Sequence, residues 1–430
     1  MTEANTAVED LGAEYFQDPY SSHARLRAER PVAAVNIPGL PPALPTAPGG
    51  PARPPAWLIT GYADARAALN DPRLRKTPPG WQPDPARAAI DMHLLNSDPP
   101  DHERLRRLVN KAFTPRRSER LRPRIASITA ELLDDISTHD EVDLVASFAF
   151  PLPLTVICEL LGVPVADRDD LHAWFATMVS NTVSPEKWQA DATALIGYFM
   201  ALLAAKRSDP ADDLLSALIS ARDGGDSLSE NELISMAFLL LIAGHETTAN
   251  LIGNGMLALL LNPAEFARLR ADRGLLSGAV DELLRFSNPV NTATHRFAAE
   301  PVEIGGVRIG PGDLVLVALS GANRDPSRFA DPDRLDLGRD SSAQLGFGHG
   351  IHYCLGTPLA RLQAEIAFGE LMARFPAMRL AVPADDLRWR TTTLIHGLEA
   401  LPVRLGPVAE DLGPRKLSSP LQSHEPAGRP

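Results

Sequence analysis

One helix constrains this chain more than any other feature. Ser229-Glu230-Asn231-Glu232 has the form of a capping box and Asn262-Pro263 is a stop. The apolar run between them therefore predicts a single helix of about thirty residues. Its first half, Leu233 to Ala243, is the most hydrophobic stretch of the protein. It is not a membrane span, because His245, Glu246 and Asn250 interrupt the apolar run after about a dozen residues. It reads as a buried central helix. In its middle stands Ala243-Gly244-His245-Glu246-Thr247-Thr248. A zinc-protease helix is excluded, since the second histidine it needs would fall at Ala249. Ala243 and Gly244 remove side-chain bulk from one face, leaving room for something flat and for a small molecule beside it. Glu246 and Thr247 set a carboxylate and a hydroxyl next to that room, an arrangement suited to passing protons one at a time into a dry pocket. Thr247 can also donate to the carbonyl one turn back and bend the helix, and the two roles are compatible.

The second informative segment is Phe347-Gly348-His349-Gly350-Ile351-His352-Tyr353-Cys354-Leu355-Gly356. Its three glycines let the backbone take positive φ and fold tightly around the Cys354 sulfur, with amide N–H groups turned toward it. Apolar spacing at Leu359, Leu362, Ile366, Leu371 and Met372 starts a helix just after the cysteine. A helix N-terminus lowers a thiol pKa, and a bound metal deprotonates it outright. A lone cysteine is commonly a small buried hydrophobe; three glycines and a histidine at this spacing favour a ligand instead. The loop is not a dinucleotide fingerprint, because Ile351 stands where the third glycine belongs. Nor is it half of a zinc cage: the chain has two cysteines, and Cys158 lies in an apolar, structural setting.

The pattern Phe-x-x-Gly-x-His-x-Cys-x-Gly resembles the heme-binding loop of the cytochrome P450 family. The resemblance extends from about Tyr15 to Leu405, with the motifs in family order. It implies heme b held by Cys354, with Ala243, Phe347 and Gly348 against the cofactor and dioxygen as co-substrate. It implies that Glu246 and Thr247 are the acid and alcohol pair that delivers protons to dioxygen. Two propionates buried without partners would be prohibitively costly, and the family positions for their cations match His102, Arg106, Arg296 and His352. Glu282 and Arg285, three apart on one helical face, match a buried structural pair, and Arg334 in Pro332-Asp333-Arg334-Leu335 matches its third member. Leu335 departs from the aromatic that the family often carries there.

The resemblance further implies a mainly α (α+β) chain, a single helix-rich domain over 15–405 with small peripheral sheets. Strand-like runs at Trp57–Thr60, Val302–Ile309, Leu314–Leu319 and near Met378–Val382 agree. Residues 1–14 and the tail from 406 are expected to be mobile. Pro38 to Pro55 packs eight prolines into eighteen residues and reads as an extended insertion. No basic-then-apolar leader opens the chain, so a cytoplasmic monomer without membrane anchor is expected. The net charge of −12 speaks against nucleic acid, yet nine Lys or Arg face three acids between Asp101 and Arg124. In the family that region flanks the surface where a ferredoxin, recharged by its reductase, delivers electrons. Arg107, Lys111, Arg116, Arg117 and Arg120 are its candidate contacts, with an ordinary solvated face as the alternative.

The implied activity is monooxygenation of a hydrophobic substrate, with a peroxide-fed peroxygenase and a non-enzymatic scaffold as alternatives. Glu246-Thr247 disfavours the first and Cys354, Glu282 and Arg285 the second. Leu95, Leu240, Ala243 and Ile395 are expected to touch substrate, and Trp174–Leu203 to supply a pocket wall. Asn291 or His396 is expected to orient remote polar groups. The stretches Leu94–Pro100 and Gly397–Val403 look similar to members that tailor macrolides and other polyketides.

Overall fold

The computed structural model describes residues 7–37, 55–81, 88–112, 114–179, 183–221 and 225–408. The proline-rich insertion up to residue 54 and the tail from 409 lie outside the described residues.

The central helix is Glu230–Leu261, 32 residues long. Its capping box is closed in both directions, Ser229 Oγ accepting from the Glu232 amide and the Glu232 carboxylate from the Ser229 amide. It is long and apolar enough to cross a bilayer by composition, but 67% of its apolar window is buried inside the protein. It packs against the helices Pro151–Leu161, Leu276–Phe286 and Thr357–Arg374. Two small residues permit the close approach. A Cβ at Gly255 would stand 2.5 Å from the Phe368 ring, and one at Gly244 would stand 2.9 Å from Ile157. The side of Gly244 where a Cβ would stand is thus taken up by a neighbouring helix, although Gly244 and Ala243 both border open space.

Eleven strands occur among the described residues. β1 (Glu9–Asp10), β2 (Val32–Asn36), β3 (Ala56–Ile59), β4 (Leu74–Arg75), β6 (Arg296–Ala298) and β9 (Leu314–Val317) form one sheet, in the order β1-β2-β3-β9-β6-β4. β5 (Glu141–Asp143), β10 (Arg379–Leu380) and β11 (Pro402–Arg404) form a second. β7 (Val302–Ile304) and β8 (Val307–Ile309) form a hairpin. β1 pairs in parallel with the end of β2, so residues 9–10 of the stretch expected to be mobile are tied to the sheet. The register Arg75↔Phe297 between β4 and β6 carries the next residue, Lys76, alongside Arg296.

Behind the sulfur loop the buried pair is as expected, but its third member is not. Glu282 and Arg285 are both wholly buried. Arg285 Nε and Nη2 donate to the two carboxylate oxygens at 2.7 and 2.8 Å, the bidentate form. Arg285 also donates to the carbonyls of Asn323, Pro332 and Arg334. Glu282 is completed by the Asp336 amide at 3.0 Å, the Ser341 hydroxyl and Arg339 Nε at 3.3 Å. The third arginine is therefore Arg339. The Arg334 side chain is 65% exposed and pairs with Asp336, contributing only its carbonyl to the network.

Glu282→Ala leaves Arg285 buried with its guanidinium charge uncompensated, which costs about 3–5 kcal/mol. Chemical denaturation is expected to show that loss, with much less purified protein. Arg334→Ala is expected to stay within about 0.5 kcal/mol of the parent, as exposed substitutions do.

Candidate active site

The sulfur loop is built around two left-handed glycines. Gly348 and Gly350 both have φ of 74°, and a Cβ at Gly350 would stand 2.8 Å from the Leu69 carbonyl oxygen. Gly356 differs: its φ is −81° and it is the N-cap of the Thr357–Arg374 helix. The Cys354 amide donates to the Phe347 carbonyl at 2.9 Å and the Thr357 hydroxyl to the Cys354 carbonyl at 3.0 Å, closing the loop on itself. The thiol is accessible from the cavity yet lies deep in the protein. That depth pushes its pKa up, against the opposing pull of the Gly356 amide, the Thr357 hydroxyl and amide and the Arg106 charge. A metal on the sulfur would deprotonate it outright.

Cys354 opens into a cavity of about 1790 Å³. Ordinary small-molecule pockets span roughly 300–1,000 Å³, so this one has room for two guests. Leu95, Leu240, Ala243 and Ile395 line it, as do Glu246, Thr247, Phe347 and Gly348. Within Trp174–Leu203, Leu195, Phe199 and Leu203 are turned into the main core, while the side chains of Phe175, Ala176, Met178 and Val179 lie outside the described residues. Two expectations for the cavity walls fail. Asn291 is absent from the lining: its amide donates to the Tyr15 hydroxyl at 3.0 Å and its oxygen accepts from Ser320. His396 is likewise withdrawn, stacked on Trp389 with ring centroids 3.9 Å apart.

One end of the cavity is cationic. Arg106, Arg296 and His352 line it there, joined by a residue the sequence did not single out, Lys76, while His102 stands behind them with its ring 4.4 Å from that of His352. Lys76 is buried, and its ammonium donates to the Thr294 hydroxyl and to the carbonyls of Thr294 and His295. Burial holds the Lys76 pKa well below its ordinary value, with the Arg296 charge adding to the effect. Burial also lowers Arg296 to about 10 and keeps His102 and His352 neutral toward lower pH. Both ring nitrogens of His102 are buried without a partner, and Arg106 donates to no side chain or carbonyl among the described residues. Asp98 is the carboxylate near Lys76 and Arg296, and it already accepts from the Lys76 amide at 2.9 and 3.0 Å. Unsatisfied donors and surplus positive charge at this depth call for anions. Two carboxylates on one flat group fit them. Among the described residues no three His, Cys, Asp or Glu side chains converge to hold a bare metal ion. A metal bound at Cys354 must therefore bring most of its own ligands. Heme meets both conditions.

At the opposite wall, Thr247 Oγ1 donates to the Ala243 carbonyl at 3.0 Å, the helix-bending bond, while remaining accessible in the cavity. Glu246 is mostly buried. Its Oε1 accepts from Asn250 Nδ2 at 3.2 Å and from Arg390 Nη1, a partner 144 residues away that no local pattern reveals. His245 pairs its Nδ1 with the Leu241 carbonyl at 2.8 Å, so a neutral ring has no proton on Nε2 to offer Glu246.

Comparison with known proteins agrees with this geometry. The family model described as Cytochrome P450 matches residues 186–383. Cytochrome P450 107B1 of Saccharopolyspora erythraea is 49% identical over 410 residues, covering 91% of this chain and 96% of that protein. The polyketide biosynthesis cytochrome P450 PksS of Bacillus subtilis is 39% identical, covering 92% and 97%. Among solved structures, the tirandamycin C-bound P450 monooxygenase TamI superposes with a TM-score of 0.83 at 51% identity, covering 92% of this chain and all of that one.

The two glycine types in the loop separate by substitution. Gly350→Ala forces a left-handed alanine, about 1–2 kcal/mol, against a backbone oxygen that cannot step aside. Gly356→Ala meets its nearest atom, Cys354 Sγ, at 3.8 Å and is expected to be tolerated. Thermal melting of the two variants should show a large drop for the first alone.

Proposed function

The chain belongs to the cytochrome P450 family, and from that premise we infer that it inserts one atom of dioxygen into an apolar C–H or C=C bond of a macrolide or other polyketide. It is a monooxygenase, and heme is its cofactor. The observation that carries the reading is the convergence on one cavity of an accessible sulfur, a cluster of Arg106, Arg296 and Lys76 backed by the unpartnered His102 ring, and an acid and alcohol pair. When bound, heme supplies the one-electron and dioxygen chemistry that side chains lack.

In this reading Cys354 Sγ ligates the iron, and its loop amides stabilise the sulfur charge. His102, Arg106, Arg296 and His352 hold the propionates, and the carbonyl contacts of Lys76 brace the strand entry from which Arg296 projects. Ala243 admits the flat cofactor beside the central helix. Thr247 donates its hydroxyl proton toward the cavity and is reprotonated from the Glu246 side, while apolar walls keep bulk water from short-circuiting the path. Leu95, Leu240 and Ile395 hold the substrate mainly through apolar area removed from water, at about 25 cal/mol per Å². The relatives PksS and tirandamycin C-bound TamI support a polyketide as the guest. Electrons come from a ferredoxin and its reductase. Arg116 and Arg120, exposed on the short helix Pro115–Arg120 that packs against Thr357–Arg374, offer an acidic carrier a docking surface near the sulfur loop.

A macrolactone is expected to shift the Soret band toward high spin at concentrations where medium-chain fatty acids and small terpenes do not. A tighter shift with fatty acids removes the polyketide assignment. Thr247→Ala is expected to keep heme and substrate binding while product per electron falls by about an order of magnitude. That is less than the full 10²–10⁴ of acid–base catalysis, because Glu246 remains. The lost electrons should appear as hydrogen peroxide, and unchanged coupling would take Thr247 out of the relay.

A further inference from the structure

We propose that Arg390 joins the substrate to the proton relay: one guanidinium nitrogen positions Glu246, and the others bind an acceptor oxygen of the substrate. The proposal rests on the polyketide reading above and deepens it.

Arg390 belongs to the loop that follows Trp389, and it lines the same cavity as Cys354 and Thr247. Its side chain is 30% exposed, while that of Glu246 is 10% exposed. Nη1 donates to Glu246 Oε1. Among the described residues, Nε and Nη2 donate to nothing, and neither is sealed from solvent. Arginine presents five N–H groups in a fixed plane, so a side chain that spends one nitrogen on Glu246 still offers a rigid pair of donors to a guest.

The loop is held firmly enough for this role. Arg390 N donates to the Gly397 carbonyl at 2.9 Å, Asn254 of the central helix donates to the His396 carbonyl at 2.7 Å, and Thr292 donates to the Thr393 carbonyl at 3.1 Å. The adjoining Thr391, Thr392 and Thr393 also line the cavity, so this wall is polar where the Leu95–Leu240 side is apolar. A hydrocarbon would waste that wall. A ketone or hydroxyl oxygen of a polyketide meets it with an acceptor, which orients the molecule and restrains the arginine that holds Glu246. Asn250 at 3.2 Å is the other donor on that carboxylate oxygen. His245 Nε2 lies 3.8 Å from the second oxygen, beyond hydrogen-bond distance, so Arg390 is the side chain that gives Glu246 a charged hydrogen bond among the described residues.

The test uses the heme-loaded ferric protein, and binding is read from the Soret shift, without turnover. Two probes are compared: a macrolactone bearing a ring ketone, and the same macrolactone with that ketone reduced to a methylene. Wild type is expected to bind the ketone about tenfold more tightly, the scale of one hydrogen bond to a charged group. Arg390→Met is expected to erase that preference by weakening the ketone alone, and Arg390→Lys to restore part of it. During turnover, Arg390→Met should raise the peroxide yield with both probes, because Glu246 is no longer held. Equal weakening of both probes by Arg390→Met, or unchanged preference, would overturn the proposal by reducing Arg390 to a loop brace. A wild type that binds both probes equally would overturn the anchor and leave the polyketide reading standing. A wild type that binds neither would overturn both.

Discussion

Glu282 and Arg285 are buried to zero exposure, and the protein neutralises them completely from its own chain. The same fold sets a buried Arg296 and a half-buried Arg106 at one end of its cavity, with Lys76 beside them, and supplies Asp98 as the nearby carboxylate. That contrast organises the structure. Breaking a buried ion pair costs about 3–5 kcal/mol, so a chain that leaves several cations underpaired is built for a guest that brings the anions. The six-stranded sheet delivers Arg296 and Lys76, the turn before the sulfur delivers His352, and the helix from Asp101 to Ala112 delivers His102 and Arg106. The Glu282 network lies behind them and ties the segment before the sulfur loop to the helix Leu276–Phe286.

Much of this was legible in the sequence because the relevant signals are local. The capping box, the stop at Asn262-Pro263 and the three-glycine loop are patterns over a few residues, and each gave its element within a residue or so. What was missed depends on contacts far apart in the chain. Arg339 rather than Arg334 reaches Glu282 because the segment after Pro332 turns back on itself, and spacing alone cannot say which arginine faces inward. Lys76 faces the cationic end through the β4–β6 register, and Arg390 finds Glu246 across 144 residues. The two- and three-residue strands β1, β4 and β6 are too short to show a period. β2 is rich in alanine, which has weak β-propensity.

The cavity has two characters, and chemistry is placed where they meet. Leucine and isoleucine side chains give area without direction, whereas Arg390 and the three threonines beside it give direction. Glu246 lies at the boundary, so the carboxylate proposed to pass protons is tied through Arg390 to the wall that carries the polar groups.

The central claim is that Cys354 binds iron as a thiolate, although its surroundings push the free thiol's pKa up. The most direct measurement is the absorption spectrum of the reduced protein under carbon monoxide, with Cys354→Ala as comparison. The account predicts a strongly red-shifted Soret band in the parent and its loss in the variant. A parent band at the position typical of histidine-ligated heme, or a shifted band that survives in Cys354→Ala, would contradict it.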